Sequence, residues 1–512
     1  MESANQVKHS FIRGNGGIAA RCLTLVLATG ILAQAYAAAF YVSPAGNDSD
    51  PGSLDRPFAS LARGQAAVQA GDTVFLRGGK YYFKSTTGEI AITLSKSGSP
   101  GRPIHYLAYP GEIPALDFSG MTAMKRIKGV LVTGAWLHLK GLEMKGILQN
   151  LRDGASHENW CLYVSSGADG GGHNVFELLN LHHNMGPGMF ISGGAGNLVL
   201  NCDSHDNFDL YSYSQGKLTP GENADGFGFH SHNPADTGTV FRGCRAWWNA
   251  DDGWDFIGSA TGVTTENCWS WYNGYKPGTT ESAGNGNGFK VGGYGMPPSA
   301  YPAKLPQHTV RFCLSFRNKA AGFYQNHHPV ANFYYNNTAF DNRSSDFSML
   351  GYDLAKHADA YYGILRNNVA YLGTALSRGA GGAVDEAYNS WDIPGTCKAS
   401  DFMSIDTSGV SGPRQAGGSL PVLGFMRLNT GSALIDKGLN VKLPFAGSAP
   451  DLGAFEYGTS MGLENPAVPR PTGVTRLISR PGIAGAYDLQ GRDVEARILT
   501  GQGRFILLTP AP

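Results

Sequence analysis

Charge is scarce in this chain: of its 512 residues only 16% are Asp, Glu, Lys or Arg, and the two signs cancel to a formal net charge of zero. A neutral chain has no overall field that attracts nucleic acid or another charged polymer. We therefore expect no nucleic-acid partner, and any attraction to a charged substrate has to be local. Beyond the N-terminal segment no run is apolar enough to predict a membrane span.

The N-terminal segment has the pattern of a secretion signal. Lys8, Arg13 and Arg21 precede the apolar run "CLTLVLATGILAQAYA", which is short for a membrane span and is followed by small residues. We predict a signal peptide over residues 1–37, with cleavage after Ala37 or Ala39. The mature protein is then exported, to the medium, the periplasm or the cell surface.

Cysteines are few, seven in all, whereas glycine is abundant with 71 residues. This much glycine disfavours helices and favours many short strands joined by tight turns. Cys22 leaves with the predicted signal, and the remaining even number is compatible with disulfides in an exported chain. Four cysteines nevertheless favour free thiols, because they recur as one column of a repeat: Cys202, Cys244, Cys268 and Cys313.

The repeat pairs each of these cysteines with an asparagine five residues later, and the same step joins Leu179 to Asn184 and Asn337 to Asn342. The first members are 23, 42, 24, 45 and 24 residues apart, so a unit recurs with loops inserted into it. Each asparagine precedes a short alternating stretch, such as "DDGWDF" (251–256) or "GNGFKV" (286–291), that predicts a strand. This pattern predicts an all-β parallel β-helix with internal ladders of thiols and, at the turns, asparagines.

The segments at the two ends complete the predicted organisation. A short helix near residues 59–70 is expected to cap the N-terminal end of a β-helix that spans residues 38–464. We expect coil-like strands to continue through residues 363–373 to 449–458. Residues 465–473 then form a linker, and residues 474–512 form a small C-terminal β appendage, similar to the ends of bacterial secretion-sorting domains.

Aspartates are concentrated in the stretch "NADDGWDFIG" (249–258). Aligning the repeats places four acids from two adjacent coils on one side of the helix: Asp225, Asp251, Asp252 and Asp255. Single aspartates in loops usually stabilise turns, but four together repel one another without a counter-charge. Oxygen ligands in this number, with no His or Cys among them, predict a Ca²⁺ site.

Lys290 occupies the outward column beside Asp255, one coil further along the alignment. It either forms a salt bridge with that aspartate or acts as a base held beside a metal. A lysine acts as a base only when it is neutral, so the second alternative predicts activity that favours alkaline pH.

These residues resemble the right-handed β-helix pectate lyases of polysaccharide lyase family nine. The resemblance covers residues 39–456 and rests on 223–229, 249–256 and 285–291. It implies Ca²⁺ ligands at Asp225, Asp251, Asp252 and Asp255 and a catalytic base at Lys290. The implied enzyme is a carbon–oxygen lyase that cleaves polygalacturonate, an anionic plant cell-wall polysaccharide, by β-elimination to 4,5-unsaturated products. With the predicted signal it is expected to be secreted, and we expect a monomer.

Three alternatives remain open from the residues alone. The substrate could be rhamnogalacturonan or another uronate polymer, since the same proton has to be removed. The fold also suits a glycoside hydrolase that uses Asp251 with Asp252 or Asp255, or a non-catalytic polysaccharide-binding stalk with structural Ca²⁺. Arg311 is either a clamp for a substrate carboxylate or a surface arginine. His327 and His328 are interpreted as loop residues.

Overall fold

The computed structural model describes residues 37–166, 171–295, 301–395 and 397–459, and the backbone of three short strands in the C-terminal tail. Apart from residue 37, the predicted signal peptide lies outside the described residues, as does the predicted linker at 465–473. Within the described part, no helix has the length and apolar character that a membrane crossing requires.

Three long sheets, built from short strands, run side by side along the molecule. Successive coils contribute one strand to each sheet, and nearly all neighbouring strands are parallel. Parallel strands lie about 4.8 Å apart, so equivalent residues of successive coils stack at this interval. This arrangement confirms the predicted right-handed parallel β-helix.

The first sheet contains thirteen strands. Its members in stacking order are Ala39–Val42, Thr73–Leu76, Ile104–Ala108, Leu137–Lys140, Val175–Glu177, Leu198–Leu200, Val240–Arg242, Thr264–Glu266, Thr309–Arg311, Phe333–Tyr335, Ala358–Arg366 and Leu350–Asp353, with Gly382–Ala387 also paired to Ala358–Arg366.

The second sheet contains ten strands and carries the aspartates. Its members are Ile90–Leu94, Lys128–Val132, Trp160–Val164, Met189–Ile191, Phe227–Phe229, Trp254–Asp255, Phe289–Lys290, Ala321–Tyr324, Ser345–Ser348 and Leu376–Ser377.

The third sheet also contains ten strands. Its members are Gly79–Ser85, Pro114–Met121, Glu143–Lys145, Asn180–His182, Asp203–His205, Arg245–Trp247, Trp269–Trp271, Leu314–Phe316, Thr338–Phe340 and Val369–Tyr371. A small hairpin, Tyr213–Ser214 with Lys217–Leu218, lies outside the three sheets.

The N-terminal end is covered by a helix, Leu61–Ala67, as predicted. Ser60 caps it, its hydroxyl accepting a hydrogen bond from the backbone N–H of Arg63, which supplies a partner for one of the free donors of the first turn. Leu61 is buried on the apolar interior of the first coils, so the helix shields the open end of the stack.

The internal ladders are present. Each of the six cysteines within the described residues is a free thiol. In the column of four, the backbone N–H of Cys202 donates to the Sγ of Cys244 at 3.4 Å, and Cys244 repeats this contact with Cys268. Side-chain amides form a second buried ladder in which each Nδ2 donates to the next Oδ1, through Asn184, Asn207, Asn249, Asn273, Asn318 and Asn342.

The C-terminal part of the predicted β-helix differs from the expectation. No strand is present at 449–458, and residues 402–459 form an irregular segment with only isolated bridges. Its apolar side chains, including Phe425 and Leu452, pack on the outer aromatic face of the third sheet, where Trp271 and Phe316 lie. The many Gly, Pro and Ser residues of this segment interrupt strand pairing, while its apolar residues still cover that face.

The tail contains three antiparallel strands, Ala486–Tyr487, Asp493–Ile498 and Ile506–Pro510. They lie within the segment that was predicted to form a β appendage.

Candidate active site

The aspartates and Lys290 lie on the second sheet because strand alternation places one column inward and the next outward. Trp254 stacks inside the helix between Phe227 and Phe289, at ring-centroid distances of 5.1 and 4.5 Å. The neighbouring outward column is Gly228, Asp255, Lys290 and Tyr324, paired in register on four successive strands. The alignment of the repeats in the sequence predicts this column correctly.

Three of the predicted metal ligands form a compact group. The carboxylates of Asp225, Asp252 and Asp255 each bring an oxygen within 4.8 Å of the others, and all three residues are buried. The backbone N–H of Asp252 donates to Asp225 Oδ1 at 3.0 Å, which joins the two coils. Burial, followed by the charges of the neighbouring aspartates, raises the pKa of Asp225 well above its ordinary value.

Asp251, the fourth predicted ligand, lies outside this group of three. Its Oδ1 accepts hydrogen bonds from the backbone N–H and the Nδ2 of Asn285, at 2.6 and 2.8 Å, and its Oδ2 accepts one from the backbone of Asn223. It is nevertheless close enough for its charge to raise the pKa of Asp225. Asp251 therefore adds negative charge to the cluster while connecting two loops.

Lys290 lies directly against the cluster. Its Nζ is 2.9 Å from Asp255 Oδ2 and 3.1 Å from Asp252 Oδ2. Burial lowers the pKa of Lys290, but the charges of Asp255 and Asp252 outweigh it and hold the pKa well above its ordinary value. The salt bridge that the sequence leaves as one alternative is thus formed, and it places the amine beside the candidate metal ligands.

The donor set fits a divalent cation. Asp252 Oδ2 is buried and accepts no hydrogen bond, although the Lys290 ammonium is close to it. Four buried carboxylates face one lysine charge, and burial raises the pKa of Asp252 to about 7 despite that lysine. Carboxylate oxygens without nitrogen or sulfur ligands suit Ca²⁺, which would also supply the missing positive charge.

A cavity of about 220 Å³ opens beside Lys290. Its polar lining comprises Asn285, Asn287, Lys290, Tyr324, Asn326 and His327. Asn287 connects the cavity to the acids, because its backbone N–H and Nδ2 both donate to Asp252 Oδ1, at 2.6 and 2.9 Å. The cavity is of the size of a sugar residue, is lined directly by the amine, and is linked to the acids through Asn287.

Some polar residues near the site were not assigned from the sequence. Asn285 and Asn287 hold Asp251 and Asp252, and only their position in the repeat, next to the aspartate columns, could have indicated this. Tyr324 follows Lys290 in the outward column, so the alignment contained that signal.

Arg311, His327 and His328 are the other polar residues that the sequence analysis discusses, and the structure places each of them. Arg311 is on the first sheet, where its Nε donates to Glu266 at 2.8 Å, so it is not part of the site. His328 is buried: its Nδ1 accepts a hydrogen bond from the backbone of Gly293, and its Nε2 lies 2.8 Å from the carbonyl of Pro306. His327 lines the cavity and lies 3.2 Å from Asp359. Both histidines follow the strand Ala321–Tyr324, His327 in a turn beside the cavity and His328 in the interior.

Comparison with known proteins shows sequence relatives over most of the chain. Residues 40–368 match the family model described as "Pel9A-like, right handed beta helix region". The chain is 34% identical over 423 residues to pectate lyase L of Dickeya chrysanthemi, covering 81% of this chain and 90% of that protein. Pectate lyase L of Paenibacillus polymyxa is 32% identical over 421 residues, covering 78% of this chain and 83% of that protein.

Two solved structures share the architecture at comparable identity. A rhamnogalacturonan lyase superposes with a TM-score of 0.69 at 34% identity, covering 77% of this chain and 96% of that chain. The crystal structure of pectate lyase Pel9A superposes with a TM-score of 0.66 at 33% identity, covering 82% of this chain and 96% of that chain. Both structures are similar along nearly their whole length, and both are named as lyases.

Proposed function

Because this chain belongs to polysaccharide lyase family nine and is a polysaccharide lyase, we propose that it cleaves polygalacturonate by Ca²⁺-dependent β-elimination. One observation carries this proposal: the Nζ of Lys290 contacts two carboxylates of the buried group of three aspartates. Lys290 also lines a cavity of the size of a sugar residue. A base and a cation site in direct contact are what proton abstraction next to a carboxylate requires.

The acids are proposed to hold the cation. Asp225, Asp252 and Asp255 would bind Ca²⁺ together with Asp251, as the sequence predicts, and the buried Asp252 Oδ2 without a hydrogen bond supports this assignment. When bound, the ion would attract the uronate carboxylate and make the neighbouring C5 proton more acidic. Asn287 keeps Asp252 in place through its two hydrogen bonds.

Lys290 is proposed to be the base. The aspartate charges that raise the pKa of Lys290 would be offset by Ca²⁺ bound to the same carboxylates, which would favour the neutral amine. Neutral Lys290 takes the C5 proton, the C5–H electron pair forms the C4=C5 bond, and the C4–O4 bond breaks. The product carries a 4,5-unsaturated uronide at its new non-reducing end. No nucleophile or second carboxylate is needed, which distinguishes this reaction from glycoside hydrolysis.

Polygalacturonate is the proposed substrate because pectate lyases are the relatives that cover most of the chain. Rhamnogalacturonan is the second candidate, supported by the rhamnogalacturonan lyase structure at 34% identity. Membership of a lyase family sets aside the hydrolase and the non-catalytic stalk that the residues alone left open.

The test compares the two polymers. Each is incubated with the protein in Ca²⁺ or in a chelator, and the conjugated double bond of the product is followed by ultraviolet absorbance. We expect a Ca²⁺-dependent rise with polygalacturonate. A rise only with rhamnogalacturonan would replace the substrate, and an equal rise in chelator would overturn the metal assignment.

Export is proposed together with this function, because a plant cell-wall polymer is an extracellular substrate. The predicted signal over residues 1–37 supports it. Expression in a bacterial host followed by N-terminal sequencing of the secreted product checks it. We expect the mature chain to begin at residue 38 or 40, whereas retention of residues 1–37 on cytoplasmic protein would contradict export.

A further inference from the structure

Tyr324 follows Lys290 in the outward column of the second sheet. The two residues are paired in register on adjacent parallel strands, Phe289–Lys290 and Ala321–Tyr324, so their backbones are about 4.8 Å apart. Both side chains line the cavity beside the acid cluster. Tyr324 therefore lies on the opposite side of Lys290 from Asp255.

The hydroxyl of Tyr324 has no assigned structural role. Within the described residues it makes no hydrogen bond, and the side chain is half-buried. The ring lies edge-on to His327, with ring centroids 6.2 Å apart, so the ring is positioned by packing while the hydroxyl is left for another partner. A half-buried phenol without a partner gains a hydrogen bond when a polar ligand fills the cavity.

The order of groups along the column matches the order of reacting atoms in a uronate. The acids come first, then Lys290, then Tyr324. In the sugar, the C6 carboxylate, the C5 proton and the C4–O4 bond follow one another in the same order. A uronate placed with its carboxylate at the acids and its C5 proton toward Lys290 would direct O4, which is on the opposite face of a galacturonate ring from that proton, toward Tyr324.

We propose that Tyr324 is the general acid of the reaction and donates its phenolic proton to O4 as the C4–O4 bond breaks. This inference rests on the proposed β-elimination and adds a second catalytic residue to it. A general acid is useful at this position because the leaving group is an alkoxide of a sugar, which departs poorly unless it is protonated.

The step balances without another reactant. Lys290 Nζ gains the C5 proton, the C5–H pair becomes the second bond between C4 and C5, and the C4–O4 pair remains on O4. O4 takes the proton from Tyr324 Oη. The resulting phenolate is reprotonated and the Lys290 ammonium is deprotonated through solvent, which restores both residues.

Burial supports this role by raising the pKa of Tyr324 to about 12, even though the Lys290 charge opposes the rise. The phenol thus keeps its proton at alkaline pH, as a general acid has to. The same residue would be ineffective as a base, so the two functions remain separate.

The test uses Tyr324→Phe, which removes one oxygen that makes no hydrogen bond in the described structure and is therefore expected to fold normally. Tyr163→Phe is the matched control, because Tyr163 lies in the same outward column, on the far side of Asp255. We expect Tyr324→Phe to lower kcat on polygalacturonate by about 10²-fold or more, and the control to remain within about threefold of the wild type.

A second readout identifies the step that is lost. In D₂O, Tyr324→Phe is expected to incorporate deuterium at C5 of uncleaved substrate, because Lys290 still removes the proton while O4 fails to leave. Lys290→Ala is expected to incorporate none. A kcat for Tyr324→Phe within threefold of the wild type, or a loss of kcat without exchange at C5, would overturn the assignment.

Failure of this inference is distinguishable from failure of the proposed function. If the wild type forms no unsaturated product on polygalacturonate or rhamnogalacturonan, both fall. If the wild type forms the product and Tyr324→Phe is equally active, only the role of Tyr324 falls.

Discussion

Lys290 Nζ lies 2.9 Å from Asp255 Oδ2, on the strand that precedes its own in the second sheet. The same ammonium is 3.1 Å from Asp252 Oδ2. The positive charge of Lys290 is thus already paired with two of the carboxylates that are proposed to bind a metal. Lys290 and a divalent cation therefore compete electrostatically for the same oxygens, and this competition can be measured without any substrate.

Replacing Lys290 by Ala is expected to tighten divalent cation binding. Removal of a positive charge a few ångströms from the ion relieves repulsion on the order of 1 kcal/mol, which is roughly fivefold in Kd. Calorimetric titration with Ca²⁺ measures the change, and Lys276→Ala, a partly exposed lysine paired with Glu281, is the control. Weaker binding by Lys290→Ala would show that the cation site is elsewhere.

Replacing Asp252 by Asn is expected to abolish stabilisation by Ca²⁺. Asparagine keeps the Oδ1 acceptor that Asn287 uses, but it removes a charge from the cluster. In chelator the variant should melt at or above the wild-type temperature, because carboxylate repulsion is reduced. Thermal melting with and without Ca²⁺ measures this, with exposed Asp55→Asn as the control. An undiminished Ca²⁺ shift in Asp252→Asn would contradict the assignment.

The asparagine ladder is expected to be a large source of stability. Asn273 accepts hydrogen bonds from the backbone and side chain of Asn249 and donates to Asn318, all within the buried interior. Asn273→Ala leaves several of these groups without partners and should lower the free energy of unfolding by about 2–4 kcal/mol. Denaturant unfolding measures the loss, and Asn440→Ala, at an exposed position of the irregular C-terminal segment, should change the free energy of unfolding by less than about 0.5 kcal/mol. Equal effects would show that the ladder does not contribute.

The C-terminal segment is held to the third sheet by ion pairs that are largely shielded from solvent. Asp203 pairs with Arg245 at 2.7 Å and with Arg414 at 2.6 Å. Burial raises the pKa of Asp203, but the two arginines outweigh it and hold the pKa below its ordinary value. A carboxylate with a lowered pKa stabilises the fold above its unfolded pKa, near 3.8, and this stabilisation is lost as the pH falls through the folded pKa.

Asp203→Ala should therefore reduce the free energy of unfolding by about 3 kcal/mol at neutral pH, because it leaves two arginine charges unpaired. The difference from the wild type should shrink as the pH falls below 3.8. Denaturant unfolding at several pH values measures this, and limited proteolysis should show earlier cleavage within residues 402–459 of the variant. A difference independent of pH would mean that packing, not charge, carries the contribution.

The repeating part of the fold could be predicted from the sequence because each coil repeats the same positions. The two columns that include Cys244 and Asn249 identified the interior, and the alignment of the repeats correctly placed Asp255 beside Lys290. Residues 402–459 were mispredicted because a non-repeating segment has no register, and short apolar stretches such as 449–458 resemble strands when their partners are unknown. Neither the cavity nor the hydrogen bonds that occupy Asp251 could be predicted, since both depend on the conformation of non-repeating loops from neighbouring coils.

The central claim is that Lys290, held by the buried acids, is the catalytic base. The most direct measurement is the rate of unsaturated product formation on polygalacturonate by Lys290→Ala and by the wild type, both with Ca²⁺. The account predicts that Lys290→Ala loses about 10³-fold or more in kcat while its melting temperature still responds to Ca²⁺. A Lys290→Ala variant that folds, binds Ca²⁺ and retains a rate within tenfold of the wild type would contradict it.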